Sequence, residues 1–184
     1  MGLDLENMEA IVQFEPAPKW VAFLVGEDYC PKVTGVELDS VPVSSKHFSL
    51  IAELDDLTTL LLFYTETGDE ELRQLSGLRK LRRLYLTGTN VTDDGVIHLL
   101  KIDSLDVLTL NETSIGDKAL SDLRRLPNLT CLEVDDTKIT DAGLKYLPTF
   151  PRLEAVYLAN TRTSPEAIAD LNRECPDLVV GSAD

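Results

Sequence analysis

LTCLEVDDTKITDAGLKYL, residues 129–147, sets the register of the whole chain. Apolar residues stand at Leu129, Leu132, Val134, Ile139, Leu144 and Leu147, with Thr137 and Thr140-Asp141 between them. Counting from its first leucine, equivalent starts fall at Val33, Leu57, Leu81, Leu105, Leu129 and Leu153, each 24 residues after the last. A fixed period of this length marks a repeat architecture, in which each unit buries its apolar side only by stacking on its neighbours.

The columns assign an element to each part of the repeat. Val36, Leu60, Leu84, Leu108, Leu132 and Val156 form one column, and Leu38, Leu62, Leu86, Leu110, Val134 and Leu158 form another two residues on. Spacing by two places both on one face of a short strand. Val41, Thr65, Thr89, Thr113, Thr137 and Thr161 follow at the bend, where a hydroxyl is expected to bond neighbouring backbone and close the turn. The next column, Val43, Thr67, Val91, Ile115, Ile139 and Thr163, turns mostly inward again. Ser44, Thr92 and Thr140 read as helix N-caps, and Asp93, Asp117 and Asp141 as first-turn acids that complement the helix dipole. Each short helix is expected to bury Phe48, Leu72, Val96, Leu120, Leu144 and Ile168, then Ile51, Leu75, Leu99, Leu123, Leu147 and Leu171. Gly95, Ala119, Gly143 and Ala167 are expected to let the helix approach the strand layer.

This pattern resembles that of leucine-rich repeat proteins. The segments 137–144 and 89–96 resemble the cysteine-containing subclass found in F-box adaptors and many bacterial repeat proteins, with threonine where that subclass often has cysteine or asparagine. The resemblance implies an α/β fold, a right-handed solenoid with a parallel sheet on its concave face and short helices on its convex face. The expected division is an N-terminal segment, 1–32, with a capping helix starting near Pro16 or Pro18 and ending near Gly26. Six 24-residue repeats and a partial seventh strand over 33–180, and a tail over 181–184, complete it.

Bulk chemistry narrows the function. A net charge of −15 in 184 residues disfavours nucleic acid and anionic membrane surfaces. Apolar runs near 20–25 and 60–64 are too short to span a bilayer, and the first residues lack the basic and apolar regions of a secretory signal. Three widely spaced cysteines, Cys30, Cys131 and Cys175, form neither a disulfide framework nor a zinc pattern. A cytoplasmic location follows as the expectation.

The informative residues are those that the repeat leaves free on the sheet face. Leu61, Phe63, Tyr64 and Tyr85, with Arg83 beside them, make an apolar and aromatic patch suited to a binding hot spot. Glu112, Glu133, Asp135 and Asp136 make an acidic field next to it, and Tyr157 lies further along. A metal among these acids is disfavoured, because no calcium-loop glycine accompanies them and parallel strands do not converge their oxygens. No cofactor is expected, since the chain has no glycine-rich phosphate loop. Catalysis is not expected either. His47 and His98 have no nucleophile in an adjacent column, and acids near Cys131 push its thiol away from the reactive thiolate. The cluster Arg79, Lys80, Arg82 and Arg83, with Arg124 and Arg125, reads as solvated charge on the return edge.

The expected function is a non-catalytic scaffold that recognises a protein or peptide through its concave face. One alternative, implied by the resemblance, is the substrate-recognition part of a ubiquitin-ligase adaptor, although some 32 residues before the repeats are too few for an F-box. The other is an assembly subunit that self-associates weakly through an uncovered C-terminal edge.

Overall fold

The computed structural model describes residues 11–14 and 33–181. Eight strands lie in one sheet in sequence order. The first, β1 (Ile11–Phe14), runs antiparallel to β2 (Val33–Asp39), with Ile11 opposite Glu37. The sequence reading contains no such strand. Its capping helix at 16–26 lies outside the described residues.

From β2 onward every pairing is parallel, through β3 (Thr59–Phe63), β4 (Arg83–Tyr85), β5 (Val107–Thr109), β6 (Cys131–Glu133), β7 (Ala155–Tyr157) and β8 (Val179–Gly181). Gly35, Thr59, Arg83, Val107, Cys131, Ala155 and Val179 lie side by side, so the 24-residue period is also the pairing register. The partial seventh strand of the repeats is β8, which begins at Val179 and runs to Gly181.

Between strands stand α1 (Ser45–Ile51), α2 (Asp69–Gln74), α3 (Asp93–Leu99), α4 (Asp117–Leu123), α5 (Asp141–Leu144) and α6 (Pro165–Glu174). The result is an α/β solenoid. Strands pack about 4.8 Å apart and helices about 8–10 Å apart. Stacked units therefore bend towards the sheet, which puts the strands on the inner side.

The strand columns and both helix columns meet in one core, where most of these side chains are fully buried and Ile168 is half-buried. Each buried leucine contributes roughly 1.5–3 kcal/mol relative to exposure. A further column at the return edge, Leu78, Ile102, Leu126 and Phe150, is buried as well, with half-buried Leu54 before it.

The turn after each strand is closed as the threonines suggested. The hydroxyls of Thr65, Thr89, Thr113, Thr137 and Thr161 donate to the carbonyls three residues back, at 3.4, 2.7, 2.6, 2.7 and 2.8 Å. Where the following core position is itself a threonine the two hydroxyls pair, Thr65 with Thr67 at 2.7 Å and Thr161 with Thr163 at 2.8 Å. The residue before each of these positions is left-handed: Ser40, Tyr64, Gly88, Glu112, Asp136 and Asn160 have φ between 49° and 68°.

The first-turn aspartates do more than complement their own helix. Asp69 accepts from Thr92 N at 2.8 Å and Thr92 Oγ1 at 2.6 Å, in the next repeat. Asp117 does the same with Thr140, at 2.8 and 2.7 Å, and Asp141 with Ser164, at 2.6 and 2.9 Å. Asp93 accepts from Gly116 N at 2.8 Å and Ala119 N at 3.1 Å. This ladder gives Gly95 and Gly143 a different reason from the expected one. A Cβ on Gly95 would stand 2.2 Å from Asp69 Oδ1, and one on Gly143 2.4 Å from Asp117 Oδ1. They make room for a carboxylate of the preceding repeat rather than for the strand layer.

Candidate functional site

Short strands and left-handed turns fix which side chains leave the core. Alternation puts Leu61, Tyr85, Thr109, Glu133 and Tyr157 in one row across the sheet face, by the pairing of β3 to β7. Phe63 follows Leu61 on the same face, and its ring packs against Tyr85 with centroids 5.9 Å apart and planes tilted by 56°. Leu61, Phe63 and Tyr85 are half-buried, whereas Tyr64 is 54% exposed. Arg83 is exposed at the near end of β4 and donates from Nε to Thr59 Oγ1 at 3.2 Å. The structure thus sets Leu61, Phe63 and Tyr85 side by side, with Arg83 towards the start of the strands and Tyr64 on the turn after β3.

Tyr64 holds an unusual position. Its φ of 49° is a left-handed conformation that disfavours bulky side chains. The ring lies over Gly88, where an added Cβ would meet Tyr64 Cδ1 at 2.3 Å. Beyond Gly88, the phenol donates to Glu112 Oε1 at 2.9 Å, two repeats away. That hydrogen bond and the charge of Glu112 hold the Tyr64 pKa above its ordinary value. Tyr64, Gly88 and Glu112 thus make a bridge along the turn column.

The acids divide into two kinds. Glu112 and Asp136 are exposed on left-handed turns, and Glu133 is half-buried on β6. Asp135 differs from the displayed acid that sequence suggested. It is 6% exposed, its backbone N–H donates to Asn111 Oδ1 at 2.8 Å, and its Oδ1 accepts from Ala159 N at 2.5 Å. Its carboxylate is part of a side-chain-to-backbone ladder between repeats. Tyr157 is half-buried on β7, separated from Tyr85 by Thr109 and Glu133 and packed beside Gly181 of β8.

A leucine-rich repeat family model matches residues 77–100 and 125–147. A solved leucine-rich repeat protein of Leptospira interrogans superposes with a TM-score of 0.58 at 15% identity, over 80% of this chain. The chain carries leucine-rich repeats. It spans 36% of the length of the Leptospira chain. No curated protein matches its sequence.

Among the described residues of this leucine-rich repeat chain the ion pairs avoid the sheet face. Arg73–Glu70, Lys80–Asp56, Arg82–Asp106, Lys118–Asp94 and Arg173–Asp170 lie on the helices or along the rim. Glu133 and Asp136 instead accept from the neutral amides Asn111 Nδ2, at 3.2 Å, and Asn160 Nδ2, at 3.4 Å. Thr109, between Tyr85 and Glu133, is 2% exposed, and its hydroxyl has no hydrogen-bond partner among the described residues. No sequence signal marks that orphan, because the same threonine satisfied and unsatisfied reads alike.

Burial, then Glu133 and Asp106, pushes the half-buried Cys131 thiol above its usual value. Among the described residues no group of three or more histidines, cysteines or acids is placed to hold a metal ion. A cavity of about 600 Å³ runs along the rim where the strands begin, lined in part by Lys80, Arg82, Asp106, Asn128 and Arg152. Its charges are largely spent on cross-repeat contacts: Lys80 on Asp56, Arg82 on Asp106, and Arg152 on Asn128.

Proposed function

We propose that this leucine-rich repeat chain is a scaffold without chemistry of its own, which takes a protein or peptide partner on its sheet face. Leu61, Phe63, Tyr64, Arg83 and Tyr85 form the anchor, and Glu112, Glu133 and Asp136 the charged flank. Asp135 contributes by holding β6 against β7, and Tyr157 marks the far end of the surface. The carrying observation is Tyr64, a large aromatic side chain left 54% exposed on a left-handed turn. Such a residue costs roughly 1 kcal/mol or more where glycine would cost nothing, and strain of this kind clusters at binding surfaces. Exposed aromatic side chains beside an arginine also match the composition of interface hot spots.

The thiols of Cys131 and Cys175 are free, and no helix among the described residues is long and apolar enough to cross a membrane. The free thiols fit a reducing compartment, and we propose a cytoplasmic location for the scaffold. Nothing in the described residues favours a ubiquitin-ligase adaptor over other scaffolds.

The test is affinity capture from the native lysate with the wild-type chain and with Phe63→Ala, Tyr64→Ala and Tyr85→Ala combined. Partners held by the wild type are expected to be lost with the variant, while circular dichroism remains that of the folded solenoid. Undiminished capture by a folded variant removes this patch as the binding site.

A further inference from the structure

We propose that the occupant of the sheet face is an extended basic segment of a protein, with an apolar side chain on Phe63 and Tyr85 and a lysine or arginine against Glu112 and Glu133. The proposal rests on the scaffold reading above and adds the chemistry of the partner.

Charge carries the first step. The chain has a net charge of −15, and the ion pairs among the described residues, on the helices and rim, leave Glu112, Glu133 and Asp136 without a cation there. Their side-chain partners are neutral: the Tyr64 phenol, Asn111 and Asn160. Acids close together on one face repel each other, and a cation brought by the partner relieves that repulsion and speeds encounter. In the free chain the Tyr64 hydroxyl stands in for that cation on Glu112. A lysine or arginine makes the stronger, charge-assisted bond to the same carboxylate and rests beside the tyrosine ring, which attracts cations through its face.

Thr109 carries the second step independently. Its buried hydroxyl faces the same surface between Tyr85 and Glu133, and nothing among the described residues bonds to it. Unsatisfied buried hydroxyls are uncommon in folded proteins. A backbone laid across β5 brings the missing polar atom to the centre of the surface.

Spacing sets the third. From Tyr85 on β4 to Glu133 on β6 is two strand intervals, about 10 Å, which a segment in the extended polyproline II form covers in about three residues, its three-residue turn returning both side chains to the same side. The motif is therefore an apolar residue followed or preceded by a basic one three positions away.

The experiment is selection of a random displayed-peptide library on the full chain, followed by anisotropy titration of the enriched peptides. Enriched sequences are expected to carry lysine or arginine three residues from an apolar side chain. Their binding should fall with rising salt, and weaken about tenfold, the loss of one charge-assisted contact, in Glu112→Gln with Glu133→Gln. Enrichment of neutral or acidic peptides, or no enrichment, overturns the proposal. Binding lost in Phe63→Ala with Tyr85→Ala, yet indifferent to salt and to both glutamine substitutions, keeps the sheet face as the site and removes the basic occupant.

Discussion

Replacing Gly143 by alanine tests whether the aspartate ladder, rather than helix propensity, decides that position. The new Cβ would lie 2.4 Å from Asp117 Oδ1 and 3.1 Å from its Cγ, inside any tolerable contact, with Leu120 Cδ1 at 3.2 Å. The carboxylate has to move, and moving it stretches both bonds to Thr140, now at 2.8 and 2.7 Å. A hydrogen bond to a charged group contributes roughly 1.5–3 kcal/mol, so partial loss of two costs about 3 kcal/mol. Against this, alanine in place of a helical glycine returns about 1 kcal/mol. Gly143→Ala should therefore destabilise the chain by about 2 kcal/mol. In an Asp117→Ala background the two bonds are already gone and the clash is relieved, so the same substitution should stabilise by about 0.5–1 kcal/mol. The measurement is urea unfolding followed by far-UV circular dichroism for the four chains of this cycle, compared through their midpoints. Equal effects of Gly143→Ala in both backgrounds would refute the reasoning. Two other repeats supply contrasts: at Gly116, with no hydroxyl to bond, the small position is Ala119, and at Ser164, whose helix opens on Pro165, Asp141 keeps both its bonds with Ala167 at the small position.

Two other perturbations probe the sheet face itself. The pKa of Tyr64 is raised in the folded chain, so its bond to Glu112 is intact at neutral pH and lost as pH rises through that raised value. Glu112→Gln removes the charge, and ultraviolet difference titration, with Tyr64→Phe as the subtraction control, should place the Tyr64 transition lower; an unmoved transition refutes the bridge. Thr109→Val removes a buried hydroxyl that bonds to nothing while keeping the branched shape, and should raise stability by about 1 kcal/mol in the same urea assay. A loss of stability there would mean that the hydroxyl is satisfied in solution.

The sequence spells out whatever recurs in each repeat by itself. Strand register, the turn threonines and both buried helix columns are visible because a single unit needs them, and the 24-residue spacing repeats the need. The buried return-edge column of Leu78, Ile102, Leu126 and Phe150 recurs at the same 24-residue spacing and is open to the same counting. Other features exist only between repeats. An aspartate at the start of a helix looks the same whether it complements its own dipole or accepts from a cap 23 residues later, so the ladder from Asp69 to Thr92 had no separate signature. Asp135 was misplaced for that reason: its residue type and column suit display, but stacking gives its carboxylate the Ala159 amide. The strand β1 carries no repeat at all, and four residues of antiparallel pairing leave little periodicity to find.

The left-handed column shows how scaffold and function share one position. Gly88, Asp136 and Asn160 are residue types that tolerate positive φ, so their turns need no further explanation. Tyr64 and Glu112 tolerate it poorly, yet each is tied to the other across Gly88. A glycine or asparagine at either site would make the same turn without an aromatic ring or a charge. The repeat needs a turn there and has no need of those two side chains. Their cost in backbone strain is therefore attached to the face they display, and the glycine between them is required by the ring that crosses it as much as by its own φ of 68°. Substituting Gly88 thus perturbs the turn and the Tyr64–Glu112 bridge together, whereas substituting Glu112 perturbs the bridge alone.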